Sequence, residues 1–341
     1  MTAYIIRRVL KMILILWLLT VVVFLLFNAM PSDPVKFIVG RGCDPRCRKL
    51  VIAKYHFDDP LWTRYWHFLF RGPTIDGVKQ GLFQWPPSFG ASYQSKEAVT
   101  HSLGQAIPVT ASLAFGAAVI WLLMGIPIGM VAATHPRSIR DRVTTVFALV
   151  GLSMPTFFLG IMLLYFLYYR LTAGVHIASG LGSGANPFFP PSQYVPFKTD
   201  PVEWAHHLLL PWFTLAFVNA AVYSRMTRGS MLEVLGEDYI RTARAKGLSE
   251  RRVIYRHGLR SALTPVVTLL GLDLGTLLGG AIISEKLFGL PGVGALAVDA
   301  VRDRDLPVLL GTVLTAAAFI VFANLVIDIL YGVLDTRVRL T

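Results

Sequence analysis

The sequence predicts an all-α polytopic membrane protein with six transmembrane helices and both termini in the cytoplasm. Three observations carry this reading. Six apolar runs each approach or exceed the roughly 20 residues an α-helix needs to cross a bilayer. Of the 341 residues, 54% are hydrophobic and only 15% charged, with a mean hydropathy of +0.58, which excludes an ordinary soluble enzyme. The formal charge of +12 is spread through the gaps between apolar runs, so it reads as a topology signal and not as a nucleic-acid patch.

The first run covers residues 9–30 and follows Arg7, Arg8 and Lys11. It is longer than the apolar core of a signal peptide, and Asn28-Ala29-Met30-Pro31 lacks a small-residue cleavage pattern, so it is expected to remain as a membrane anchor. Residues 31–107 then lie outside the cytoplasm. Their many Lys and Arg do not reverse that side, because long loops cross largely regardless of charge. Cys43 and Cys47, the two cysteines of the chain, fall here. Three readings are open: a local disulfide in an oxidising compartment, two free thiols, or a metal site with His56 as the nearest further ligand. Asp59 as N-cap and Pro60 at the first helical position begin a short amphipathic helix. Its Trp62, Tyr65, Trp66 and Phe70 suit either the membrane interface or the core of a small outer module. Residues 72–93, rich in Gly and Pro, read as loop.

The remaining runs are 108–132, 143–171, 207–231, 264–284 and 307–334. Pro127, Pro155 and Pro211 lie in or near them, where membrane helices tolerate kinks and breaks. The second connection carries Arg137, Arg140 and Arg142. The fourth carries Arg225, Arg228 and a basic segment, and Arg337 and Arg339 close the chain. The third and fifth mix both signs. The basic connections therefore face the cytoplasm. The chain divides into 1–107, the first span with the outer segment, and 108–341, a five-helix core.

The fourth connection is the most informative segment. From Gly236 to Arg260 it reads as two short helices broken at Gly247. Tyr239, Ile240 and Ala243 share one face, while Arg241, Arg244 and Lys246 lie elsewhere. Gly247 suits the left-handed position that ends a helix. Ser249 can cap the next helix, with Leu248 and Val253 forming a hydrophobic staple. Such a stiff basic elbow is suited to gripping a separate soluble subunit.

Asp273 is an acid inside the fifth run. A carboxylate there costs about 2.5–3.5 kcal/mol on insertion scales, so it is expected to avoid lipid. Gly271, Gly275 and Gly279 make a small stripe for close helix packing. Asp273 points away from that stripe and shares its own side with Thr276, Gly280 and Ser284, a polar or small face suited to a translocation pathway or to a partner subunit. The sequence has no Gly-x-x-x-x-Gly-Lys-Ser/Thr nucleotide loop, no His-Glu-x-x-His and no Gly-x-Ser-x-Gly. Nucleotide hydrolysis by this chain is not expected.

At the elbow the sequence resembles the inner-membrane permeases of bacterial ABC importers, and more narrowly the B-type subunit of the dipeptide/oligopeptide (nickel) group. That family carries a Glu-Ala-Ala-x-x-x-Gly signature. Here Arg241, Thr242 and Ala243 fill the first three places and Gly247 the last, within the Arg-Thr-Ala-Arg-Ala-Lys-Gly form usual in peptide importers. His257 to Pro265, Pro31-Ser32-Asp33-Pro34, Phe89-Gly90-Ala91-Ser92 and the Pro291-Gly292-Val293-Gly294 loop match as well, so the resemblance covers almost the whole chain. It departs most at 38–54 and 173–200, and it does not supply Asp273.

The resemblance implies a type I ABC importer permease fold and a non-catalytic pore subunit for di- or oligopeptides in the cell membrane. It implies a heterodimer with a second, related permease, two cytoplasmic ATPase domains that hydrolyse ATP with Mg²⁺, and an extracytoplasmic binding protein that delivers the peptide. The chain itself would hold no cofactor. The segment at about 236–262 becomes the coupling helix, with Arg241, Thr242, Ala243, Arg244, Lys246 and Gly247 at or beside the ATPase. An ion- or proton-coupled secondary transporter is the alternative, motivated by Asp273. The single intramembrane acid, the absence of an inverted repeat and the ordered elbow weigh against it.

Overall fold

The computed structural model describes residues 2–29, 34–39, 43–170 and 194–334. In chain order its helices are α1 (Thr2–Ala29), α2 (Pro34–Val39), α3 (Pro45–Tyr55), α4 (Leu61–Trp66), α5 (Val99–Thr134), α6 (Ile139–Ser153), α7 (Thr156–Leu163), α8 (Pro201–Leu235), α9 (Asp238–Ala245), α10 (Glu250–Arg252), α11 (Leu259–Leu287), α12 (Val293–Asp303) and α13 (Leu306–Leu334). Wide π-helical turns extend the chain at His67–Arg71, Leu164–Arg170 and Val253–Gly258. Among the described residues, α1, α5, α8 and α13 are long and apolar enough to cross a membrane, and α6 with α7 makes a fifth candidate. The run at 264–284 lies within the 29-residue α11.

Two elements differ from the sequence reading. The run at 143–171 is broken, with α6 and α7 bent by 102°. Pro155 is the cause. Its ring disfavours helical backbone at the preceding residue, and Met154 sits at φ −91°, ψ 120°. Residues 72–93 also hold a small hairpin, β1 (Thr74–Ile75) antiparallel to β2 (Val78–Lys79). Asp76 and Gly77 have φ of 50° and 80°, the two positive values that a tight Asp-Gly hairpin turn requires.

The chain folds as two compact units. One comprises Thr2–Thr110 with Pro291–Phe322. In it α1 exposes Ile6, Leu10, Ile13, Leu14 and Trp17, a face suited to lipid. Near its end it turns inward: Phe24 packs against Tyr65 and Phe68 at ring distances of 5.2 and 5.9 Å, and Thr20 Oγ1 lies 2.9 Å from the Tyr65 hydroxyl. Tyr65 thus belongs to the module's interior, while Trp62 and Trp66 remain exposed. Helix α4 begins one residue later than expected, with Pro60 as its N-cap. Asp59 faces His56 instead, 3.4 Å away. Cys43 and Cys47 form a disulfide, Cα atoms 5.5 Å apart, beside Asp44, which caps α3 through the Cys47 N–H at 2.7 Å.

The core of this unit joins Val99, Leu103 and Ala106 of α5 to Val293, Ala300 and Val308, with Phe89 packed against them. Asp305 fastens the loop that carries Ser92 and Tyr93 to it. Its buried carboxylate accepts from Ser92 Oγ at 2.5 Å and from the Tyr93 N–H at 3.2 Å, while Oδ1 also caps α13 through the Val308 N–H at 3.4 Å.

The other unit comprises Ala111–Leu290 and the end of α13. Its centre is α8, packed by α6, α7 and α11. Small residues permit close approach, as membrane helix packing favours. A Cβ on Gly125 would lie 2.7 Å from Tyr223 Cβ, and one on Gly129 would collide with the Ser224 carbonyl.

Candidate functional site

The elbow is built by local sequence grammar. Helix α9 buries Ile240 and Ala243 and stops at Gly247, whose φ is +74°. The Gly247 N–H donates to the Arg244 carbonyl at 2.9 Å and the Leu248 N–H to the Ala243 carbonyl at 3.4 Å. This pair of bonds is a Schellman stop, completed by Leu248 packing back onto the buried Ile240, Ala243 and Val253. The reversal therefore depends on glycine for its backbone angle and on apolar side chains for its grip.

Ser249 does sit at the N-cap of α10, but its side chain makes no capping bond. Arg244 does that joining instead: Nε donates to Glu250 Oε1 at 2.8 Å, with Nη2 3.5 Å from Oε2. The guanidinium spans the turn and reaches a carboxylate in the first turn of the next helix, where the helix dipole also favours negative charge. Arg241 reaches Asp238 at 3.5 Å, and Thr242 Oγ1 donates to the Asp238 carbonyl at 2.9 Å.

The structure sorts the signature residues into two sets. Arg241, Thr242, Arg244, Lys246 and Gly247 are exposed. Ala243 is not: it is 7% exposed and turned toward Val253. Its small side chain lets the two helices of the elbow close on each other. Tyr239 also departs from the expected apolar face and is 44% exposed. It precedes Ile240 by one position, about 100° round the helix.

Behind the elbow lie two apolar clusters that share Val234 and Leu235 of α8. One holds Ile240, Ala243 and Val253. The other holds Met130 and Ala133 of α5, Met231 of α8 and Ala262 of α11. The elbow is therefore packed against the ends of three long helices, and close packing of this kind transmits displacement stiffly.

One participant was not singled out by sequence. Asp141, in the first turn of α6, takes a forked pair of bonds from Arg228 of α8, Nε to Oδ1 at 2.5 Å and Nη2 to Oδ2 at 3.0 Å. The Arg137 N–H adds a third at 2.9 Å. Asp141 is 6% exposed. Arg228 reads in the sequence as one more topology charge; the available signal was a lone acid among Arg137, Arg140 and Arg142.

The predicted polar face of α11 is only partly placed. Asp273 is half-buried, on a helix packed against α8, which carries Tyr223. Tyr223 is fully buried, 5.8 Å from the Trp121 ring. Ser284 is also buried, at 1% exposure, so it lines no open passage in this conformation. The Thr276 side chain and the surroundings of Gly280 lie outside what is described.

Residues 125–340 match the model of the "Binding-protein-dependent transport system inner membrane component" family. Residues 1–114 match the N-terminal membrane-component model of the same transport systems. Among curated relatives, the chain is 38% identical over 334 residues to the dipeptide transport system permease protein DppB of Escherichia coli (strain K12), covering 94% of each chain. It is 36% identical over 344 residues to the oligopeptide transport system permease protein AppB of Bacillus subtilis (strain 168), covering 99% of this chain and 100% of that one.

Proposed function

The chain belongs to the binding-protein-dependent transport system inner membrane component family, and from that premise we propose that it is the pore-forming permease of an ATP-driven importer for di- or oligopeptides. It is a multi-pass inner-membrane protein. In the proposed arrangement it spans the membrane six times with both termini in the cytoplasm and pairs with a second permease. The elbow docks in a cytoplasmic ATPase domain. The outer segment at 31–107 receives an extracytoplasmic binding protein. ATP and Mg²⁺ are handled by the ATPase partners and this chain does no covalent chemistry.

The elbow carries the reading. A connection between two spans needs no Schellman stop, no Arg244–Glu250 brace and no shared apolar clusters tying it to three helices. A part that must convert the closure of a soluble motor into rotation of membrane helices needs all three. The test is uptake of a labelled dipeptide by vesicles reconstituted with the full complex. Uptake is expected to require ATP on the ATPase side and to persist after the proton gradient is collapsed. Loss of uptake on collapse, with ATP present, would establish the proton-coupled alternative.

Asp273 belongs to the transport pathway in this proposal, on a helix packed against α8. Asp273→Asn keeps the shape and removes the charge. Uptake of cationic peptides is expected to fall several-fold, with neutral peptides less affected, because charge-assisted hydrogen bonds are roughly twice as strong as neutral ones. Loss of complex assembly would instead assign Asp273 to subunit contact, and normal uptake of every peptide would remove its charge from transport.

A further inference from the structure

The outer unit holds a cavity of about 340 Å³ that the proposed transport function does not use. Its walls include the rings of Phe24, Phe57, Phe68 and Tyr93, and Arg48 and Arg64 line it as well. Arg64 projects from α4 and lies over the Phe57 ring, 5.5 Å from its centroid. Among the described residues its guanidinium makes no hydrogen bond and no ion pair. Asp59, whose charge acts on Arg64 from a distance, is turned to His56 at 3.4 Å and His67 at 4.0 Å. Asp58 also lines the cavity but is exposed. Burial lowers the Arg64 pKa from its ordinary value, the mark of a cation whose water has been removed.

A partly desolvated guanidinium gains further from an anion placed opposite it. The position of the cavity indicates the source. Phe24 sits near the end of α1, beside the outward-facing Val22, Leu25 and Leu26. Trp62 and Trp66, on the same short helix as Arg64, are 82% and 60% exposed. Aromatic side chains of this kind mark headgroup depth. We propose that this cavity is a binding site for the phosphate group of a phospholipid headgroup, with Arg64 as its principal ligand, Arg48 as a second cation and the Phe57 ring backing the guanidinium. A bound headgroup would fasten the outer module to the membrane surface at a point separate from α1 itself.

The experiment uses the full-length protein in its solubilised, delipidated complex. Thermal stability is followed while dihexanoyl-phosphatidylglycerol, a soluble short-chain phospholipid, is titrated in. Inorganic phosphate is titrated in parallel. The phospholipid is expected to raise Tm saturably, with an apparent affinity roughly tenfold weaker in Arg64→Met, since a charge-assisted contact is the interaction removed. Arg64→Lys, which retains the charge and the packing stem, is expected to keep a measurable part of the shift and covers the case in which Arg64→Met does not assemble. Equal stabilisation by inorganic phosphate would keep the anion site and overturn the lipid source. A phospholipid shift of the same size and midpoint in wild type, Arg64→Met and Arg64→Lys would overturn the site.

Discussion

Replacing Gly247 with isoleucine is expected to leave the protein in the membrane at normal levels and to abolish most of its transport. The substitution meets no steric obstacle within the chain, because nothing lies within 4 Å of the position a Cβ would take. Its cost is in the backbone. A φ of +74° is unfavourable for a side-chain-bearing residue by about 1–2 kcal/mol, and more for a β-branched one. The chain relieves that strain by leaving the Schellman stop, which loosens Leu248 from Ile240, Ala243 and Val253 and re-aims Arg241 and Lys246. Uptake is expected to fall roughly tenfold or more, as each 1.4 kcal/mol or so lost at a docking contact is a factor of ten. Gly247→Asn separates two causes. Asparagine tolerates the left-handed conformation, so near-normal uptake in that variant assigns the defect to backbone angle. Loss of uptake in both variants assigns it to the bulk placed against the ATPase. Wild-type uptake with normal ATPase co-purification in Gly247→Ile would remove the elbow from the coupling path.

The second large effect is expected at the Asp141–Arg228 fork. Arg228→Met leaves the Asp141 carboxylate covered by the chain with only the Arg137 N–H and no cation. Such a loss costs about 1–3 kcal/mol, allowing for the partial exposure of Arg228. Thermal unfolding of the purified complex is expected to shift down by several degrees. The matched double variant, Asp141→Leu with Arg228→Met, is expected to recover much of that loss, because no buried charge is then stranded. Additive losses in the double variant would show that the two side chains act independently. The fork lies eight residues before Gly236, about 12 Å along α8. It therefore fixes the end of α6 to the helix that carries the elbow, and uptake is expected to fall with stability in each single variant.

The parts that sequence made legible are those with a local physical signature. Apolar runs of membrane length mark helices because lipid leaves the backbone no other partner. Gly247 is legible because a left-handed helix stop has few chemical solutions. The two-residue Asp76-Gly77 turn carried the same kind of local signal, but its strands are too short to alternate visibly. The bend at Pro155 is harder, since a membrane proline can kink a helix or break it, and neighbouring helices decide which. Ser249 followed the capping pattern, yet the Arg244 side chain took over the joining of the two helices. Ala243 shares the buried face with Ile240 and packs within the chain, which periodicity alone does not reveal, because it does not say whether a face meets another protein or the same one. The pairings of Ser92 with Asp305 and of Asp141 with Arg228 leave no local trace at all, since contacts between distant positions are set by packing.

The discontinuous core of the unit that joins Thr2–Thr110 to Pro291–Phe322 also sets an order of events during biosynthesis. Val99, Leu103 and Ala106 leave the ribosome long before Val293, Ala300 and Val308, the residues that cover them. At ordinary translation speeds the roughly 200 intervening residues take about 10–40 s to make. Throughout that interval the start of α5 has an apolar face without its native cover, and the Ser92 loop has no Asp305 to hold it. This unit thus begins to be synthesised well before it can be finished. A nascent chain interrupted before about residue 308 would carry an incomplete unit of this kind even if every earlier helix had inserted correctly.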